Sequence, residues 1–191
     1  DVYTHLFVSA DDVGDRVYLT STEIIERLRP PAMAFLAEVG RRARLADFPV
    51  HAELRIDDAG RVAPIEVNPM RFGGWCATDL AYFAFGINPY RCYLLGERPD
   101  WTRLAAQTAG RTTALIVSDL PSSVDLSAIE SVDYERFAAR FGRVLELRPT
   151  DFNHYPVFAF TFVDVPSSDL SELHAVLGAD LREHLRMRPG D

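Results

Sequence analysis

Phe48-Pro49-Val50-His51-Ala52-Glu53-Leu54-Arg55-Ile56 and, shortly after it, Pro64-Ile65-Glu66-Val67-Asn68-Pro69-Met70-Arg71-Phe72-Gly73-Gly74 are the two stretches on which the reading of this chain turns. Both alternate. Over residues 49–57, Val50, Ala52, Leu54 and Ile56 share one side, and His51, Glu53, Arg55 and Asp57 take the other. That is the period of two expected of a half-buried strand. Over 62–68 the same alternation sets Ala63, Ile65 and Val67 inward, and Val62, Pro64, Glu66 and Asn68 outward. Asp58-Ala59-Gly60-Arg61 between them is a turn sequence, with a glycine for positive φ. The expectation is a β-hairpin. If its loop runs from Asp58 to Arg61, Asp57 pairs with Val62, and counting outward puts Glu53 opposite Glu66.

Like charges directly opposite each other on a sheet are destabilising. A cation between them would reverse the sign. Asn68, two residues after Glu66, points the same way from the same strand. Two carboxylates and an amide are hard oxygen donors, which suit Mg²⁺ or Mn²⁺ and not Zn²⁺. Arg71 could hold phosphate or carboxylate oxygens bidentately. Gly73 and Gly74 would let backbone approach a ligand closely. The same residues also fit a plainer reading, in which Glu53, Arg55, Glu66 and Arg71 form a solvated, salt-bridged sheet face. Spacing alone does not choose between the two.

Taken together, the two stretches resemble the end of an ATP-grasp domain, most closely in the amino-acid and dipeptide ligase branch. The likeness covers most of residues 1–98. It implies a first acidic ligand on one strand, then Glu-x-Asn, an arginine and glycines. By that resemblance Glu53, Glu66 and Asn68 would hold one or two Mg²⁺ (or Mn²⁺) ions bridging the ATP phosphates. Arg71 would be the catalytic arginine that steadies the transferred phosphoryl group. Gly73 and Gly74 would line the place of the carboxylate substrate or nucleophile. The implied reaction activates a carboxylate as an acyl phosphate, which an amine or thiol then attacks. ATP and a small carboxylate–amine pair are the implied substrates. One departure is that Arg71 follows Asn68 by three positions, where two is common in the superfamily.

The resemblance also marks what is missing. ATP-grasp proteins grip the nucleotide between two lobes, and the earlier lobe brings phosphate-binding lysines and a glycine-rich loop. This chain contains no lysine, all 20 basic residues being arginine. It has no initiator methionine and opens in strand-like sequence, Tyr3 to Ser9. The expectation is therefore the C-terminal part of a carboxylate–amine ligase, inactive alone and partnered by an N-terminal lobe. The alternative is a non-catalytic ATP-grasp-like module that binds metal or serves structure and oligomerisation.

The expected fold class is α+β. The C-terminal lobe of an ATP-grasp domain, an antiparallel sheet with packed helices, occupies residues 1–98. A small α+β accessory domain, for which packing or a homodimer contact is the default role, occupies 99–191. Before the hairpin, Thr20-Ser21-Thr22-Glu23 reads as a capping box with Thr20 as N-cap. The helix that follows carries Ile24, Ile25 and Leu28, and Pro30-Pro31 breaks or restarts it. After the hairpin, helical runs are expected at about 75–85 ended by Gly86, at 89–95, and from Asp100 to Gly110. A strand from Thr113 to Leu120, helical turns over about 125–140 and strands at 143–148 and 156–163 come next. A closing helix capped by Ser168 carries Leu170, Leu173, Leu177, Leu181 and Leu185.

Composition narrows the function classes. With 28 acidic against 20 basic residues the 191-residue chain carries a formal charge of −8, which argues against nucleic acid or an anionic membrane as partner. No apolar run is long enough to span a bilayer. Cys76 and Cys92 lack metal-type spacing and read as reduced thiols on helices in a cytoplasmic protein. Five histidines are scattered, and His51, the one near the hairpin site, reads by default as structural. No serine has nucleophile-elbow context. Trp75, Tyr82, Phe83, Phe85 and Tyr90 read as core by their helical spacing. Glu146, Arg148 and Asp151 read as surface pairs.

Overall fold

Ser21, not Thr20, starts the first helix. Its hydroxyl accepts the backbone N–H of Ile24 at 3.2 Å, and Thr20 instead ends a strand, buried. The N-cap is therefore one residue later than expected, and Ile24 stands where a capping box would need Glu or Gln, so Glu23 falls inside the first turn. The computed structural model describes residues 2–6 and 16–188. Its elements are β1 (Thr4–His5), β2 (Val17–Thr20), α1 (Thr22–Ala43), β3 (Val50–Ile56), β4 (Val62–Pro69), α2 (Leu80–Phe85), α3 (Pro89–Leu95) and α4 (Trp101–Thr108). They continue with β5 (Arg111–Asp119), β6 (Ile129–Val132), α5 (Tyr134–Ala138), β7 (Val144–Pro149), β8 (Val157–Pro166), α6 (Ser171–Leu177) and β9 (Leu185–Met187). The strand expected from Tyr3 to Ser9 is present at Thr4–His5, and residues 7–9 lie outside the described residues.

The chain divides into two compact units, Asp1–Tyr3 with Ser21–Ala109, and Thr4–Thr20 with Gly110–Asp191. The sequence reading divided the chain after residue 98. In the structure α4 goes with the first unit, because Trp101 packs edge-on against Phe85 with centroids 5.2 Å apart. The early strands go with the second, because β2 pairs with β5.

In the first unit α1 runs unbroken for 22 residues through Pro30 and Pro31, so the expected break does not occur. Each proline deletes one i→i−4 hydrogen bond. The carbonyls left over belong to Glu26 and Arg27, both exposed, so water can satisfy them. Arg44 ends the helix in the left-handed region at φ 57°. α1 packs on β3 and β4. The helices after the hairpin fall where the sequence puts them, with Asn88 and Asp100 capping α3 and α4 and Gly86 and Gly96 closing α2 and α3. The helical run expected from 75 begins later. Trp75 and Cys76 sit at φ 51° and 62°, and a 3₁₀ turn at Ala77–Asp79 leads into α2. Both cysteines are free, but only Cys92 lies on a helix. Of the aromatics expected in the core, Phe85 is buried, whereas Trp75, Tyr82 and Tyr90 are exposed. Phe72 stacks on Tyr90 instead, at 4.5 Å.

The second unit is built on an antiparallel sheet of order β1-β2-β5-β8-β7. β5 and β8 are buried along nearly their whole length, which is why both read as continuous apolar runs and not as alternation. Phe158 and Phe162 on β8 are fully buried, as are Phe137, Leu173 and Val176 in the same unit. Asp164 on β8 carries a nearly buried carboxylate that accepts from Arg111 and Arg143, each at 2.6 Å. The stretch 125–140, expected as helical turns, contains β6, which pairs with β9. The closing helix ends at Leu177. Its cap is Leu170 and not Ser168, and the Asp169 carboxylate accepts the Ser171 N–H at 3.0 Å. Gly178 stops it, and Leu181 and Leu185 fall in a 3₁₀ turn and in β9. That turn holds His184, buried with its ring edge-on to Phe137. Burial pushes its pKa below the ordinary 6.5 against the pull of Glu183, with Arg140 and Arg136 adding to the decrease. Glu146 pairs with Arg148, as expected, and Asp151 pairs with His154, a partner that the sequence reading did not name. Among the described residues no helix is long and apolar enough to cross a membrane.

Candidate functional site

Glu53 lies directly opposite Glu66, as counting from the turn predicted, but the route is different. The turn is wider than expected, with Ile56 and not Asp57 opposite Val62. Gly60 at φ 75° closes it, and the Asp57 carboxylate accepts from the backbone of Ala59 and Arg61 and pairs with the Arg61 guanidinium. From Ile56↔Val62 the ladder runs to Leu54↔Pro64 and then shifts to Glu53↔Glu66. Ile65 is the extra residue of a β-bulge, and 60% of it is exposed. Proline has no N–H to give the ladder, and bulges are among the places a strand tolerates it.

The bulge decides the site. In an unshifted ladder Glu53 would face Ile65, and Glu66 would face Ala52 on the opposite side of the sheet. A slip of one residue reverses every side chain after it. The extra residue restores the match and gathers His51, Glu53, Glu66 and Asn68 on one face, with His51 opposite Asn68. The inward and outward sets expected for 62–65 are corrected accordingly. Val62 and Pro64 share the face of Ile56 and Leu54, Ala63 that of Arg55, and Ile65 belongs to neither set.

The polar atoms on this face reach one another. The Asn68 amide donates to Glu66 Oε1 at 2.7 Å. His51 Nε2 is 3.3 Å from Glu53 Oε1. One ligand atom each from His51, Glu53 and Glu66 can be chosen so that all lie within 4.8 Å of one another. Among the described residues no arginine pairs with either glutamate, so the plainer salt-bridged face is not what forms. Carboxylate and amide oxygens are the donors a hard divalent cation takes, and the two opposed negative charges supply the attraction. The residues present fit Mg²⁺ or Mn²⁺.

Beyond Asn68 the chain turns sharply, with Met70 at φ 60°. The Arg71 N–H donates to the Pro49 carbonyl at 3.3 Å, tying this loop to the start of β3. The Arg71 guanidinium lies against Gly74, where an added Cβ would meet it at 3.1 Å. At Gly73 a Cβ would come within 3.2 Å of both the Thr78 and Tyr3 hydroxyls. Thr78 also donates to the Gly73 carbonyl at 3.1 Å. Both glycines therefore allow close approach of the protein's own polar groups at the rim of the metal-type cluster. The structure thus brings Glu53, Glu66 and Asn68 together and sets Arg71, Gly73 and Gly74 on the loop that follows.

Sequence reasoning set His51 aside as structural and passed over Tyr3. His51 was legible from the pleat, since it precedes Glu53 by two and shares its face. Tyr3 was not, because only the fold brings its hydroxyl to 3.5 Å from His51 Nδ1.

Comparison with known proteins bears on the fold. Residues 1–79 match the family model of the ATP-grasp domain. No curated protein gives a significant match. Among solved structures, the L-amino acid ligase from Bacillus licheniformis aligns over 94% of this chain and 47% of its own, with TM-score 0.60 and 17% identity. The phosphoribosylglycinamide synthetase from Anaerococcus prevotii aligns over 90% of this chain and 44% of its own, with TM-score 0.58 and 12% identity. The chain shares their fold and spans about half the length of each.

Proposed function

We propose, on the premise that residues 1–79 carry an ATP-grasp domain, that this chain forms the metal-binding side of the active site of an ATP-dependent carboxylate–amine ligase. The observation that carries the proposal is Glu53 facing Glu66 across the bulged hairpin, with Asn68 beside them. Glu53, Glu66 and Asn68 would hold Mg²⁺ or Mn²⁺. When bound, the metal would neutralise charge developing on the ATP phosphates.

In the reaction the substrate carboxylate oxygen attacks the γ-phosphorus, ADP leaves, and an acyl phosphate remains. The amine nitrogen then attacks the acyl carbon, releases inorganic phosphate and gives up a proton. Arg71, aimed over the backbone of Gly74, supplies a planar fork for the oxygens of the transferred group. Gly73 and Gly74 keep the rim narrow where the carboxylate substrate would lie. The chain has no lysine to grip phosphates. The nucleotide-gripping contacts would therefore come from a partner lobe, and the 191-residue chain alone would bind Mg-ATP weakly.

The decisive experiment is Glu66→Ala in the intact protein, read as ATP turnover with a carboxylate and an amine. A fall of at least about a hundredfold is expected, since metal-held charge stabilisation is lost. Unchanged turnover would overturn the assignment. Micromolar affinity of the isolated chain for Mg-ATP by calorimetry would overturn the weak-binding part.

A further inference from the structure

We propose that His51 is a nitrogen donor to the cation at Glu53 and Glu66, which makes this a mixed nitrogen–oxygen site with a preference for Mn²⁺ over Mg²⁺. The inference rests on the metal-site reading above and adds to it a ligand and a selectivity.

Placement comes first. His51 is opposite Asn68 in the ladder and two residues from Glu53, so its side chain leaves the sheet on the face of the carboxylates. Distance comes next. Metal–ligand bonds of about 2.1 Å put neighbouring donors about 3 Å apart and opposite donors a little over 4 Å apart. The 3.3 Å between His51 Nε2 and Glu53 Oε1 matches neighbouring donors. The 4.8 Å envelope of the three residues needs only a small contraction to close on one ion.

The imidazole is also held in place. Its side chain is only 11% exposed, against 45% for Glu53, so it does not sweep freely through solvent. The Tyr3 hydroxyl, 3.5 Å from Nδ1, offers the second hydrogen-bond partner that metal-bound histidines use. A proton on Nδ1 shared with Tyr3 leaves the Nε2 lone pair facing the carboxylates. Imidazole nitrogen is softer than carboxylate oxygen and favours Mn²⁺ and later metals over Mg²⁺.

The competing account is that His51 Nε2–H merely donates to Glu53, and pulsed electron paramagnetic resonance separates the two. Mn²⁺ alone is added to the full chain, and to His51→Gln and Glu66→Ala variants whose folding is checked by circular dichroism. The expected result is Glu66-dependent Mn²⁺ with a directly bonded ¹⁴N coupling, replaced by a ¹⁵N coupling when histidine is ¹⁵N-labelled and absent in His51→Gln. The Mg²⁺ concentration that displaces half of the Mn²⁺ should fall about tenfold in His51→Gln. Glu66-dependent Mn²⁺ without histidine nitrogen coupling would overturn the role of His51 and leave the ligase reading standing. Absence of any Glu66-dependent Mn²⁺ would overturn both.

Discussion

The β3–β4 hairpin and the β5–β8 pair are both antiparallel ladders that carry carboxylates, and they treat them in opposite ways. On β8, Asp164 is nearly buried and two guanidiniums, from Arg111 and Arg143, close on one of its oxygens. On the hairpin, Glu53 and Glu66 face each other. Their nearby partners are an imidazole and an amide. The first arrangement is what a fold does to make a carboxylate stable. The second keeps two negative charges in register at a stability cost, which is the pattern of a site kept for a ligand.

That contrast can be broken in several ways, the largest through turnover. If the proposed function holds, Glu66→Ala should lower ATP turnover by the intact protein about a hundredfold or more, whereas Asp164→Asn should leave kcat close to wild type. Equal losses in both would erase the distinction. The second effect is on folding. Asp164→Asn removes the charge on which two partly exposed guanidiniums converge, although Arg111 still donates to the residue 164 carbonyl, so a loss of about 1 kcal/mol is expected in urea unfolding. A loss under about 0.5 kcal/mol would show that the network is ornamental.

The third prediction concerns His184. Burial lowers its folded pKa below the ordinary 6.5, so the unfolded chain binds more protons once pH drops below about that value. Its stability contribution is present above pH 6.5 and is lost as pH falls through the lowered folded value. The thermal midpoint should therefore fall between pH 7 and pH 5, and by less in His184→Gln. Parallel curves for the two proteins would refute it. The smallest effect has the opposite sign. Glu53→Gln removes one of two facing charges, so the metal-free chain should gain a few tenths of a kcal/mol while it loses Mn²⁺ binding. A variant that loses stability without metal would remove the argument from opposed charge.

Much of the hairpin was legible because two facts are local: the alternation of residues 50–56, and a glycine where the turn needs positive φ. The facing of Glu53 and Glu66 was reached from a straight count. In the structure a wider turn and the bulge at Ile65 offset each other. A bulge depends on how a strand settles on its neighbours, and only Pro64 hinted at it. The double proline misled for a related reason. Its penalty was clear, but the exposure of Glu26 and Arg27, which lets water reach their free carbonyls, was not. Leu170 to Leu185 has helical spacing, yet Gly178 and the Asp180 cap turn it into a short helix, a 3₁₀ turn and a strand. Tyr3 needed the fold itself, since nothing local links it to His51.

The second unit takes β1 and β2 from between the two segments of the first, and β2 lines the edge of β5 from Val17↔Ile116 to Thr20↔Thr113. Neither unit is therefore a cassette. A shuffled gene that joined residues 110–191 to another protein would present Arg111–Asp119, nine residues long with an apolar centre, as a bare strand edge open to intermolecular pairing. A graft that respects the fold must carry the early strands with it, or supply a surrogate strand in trans.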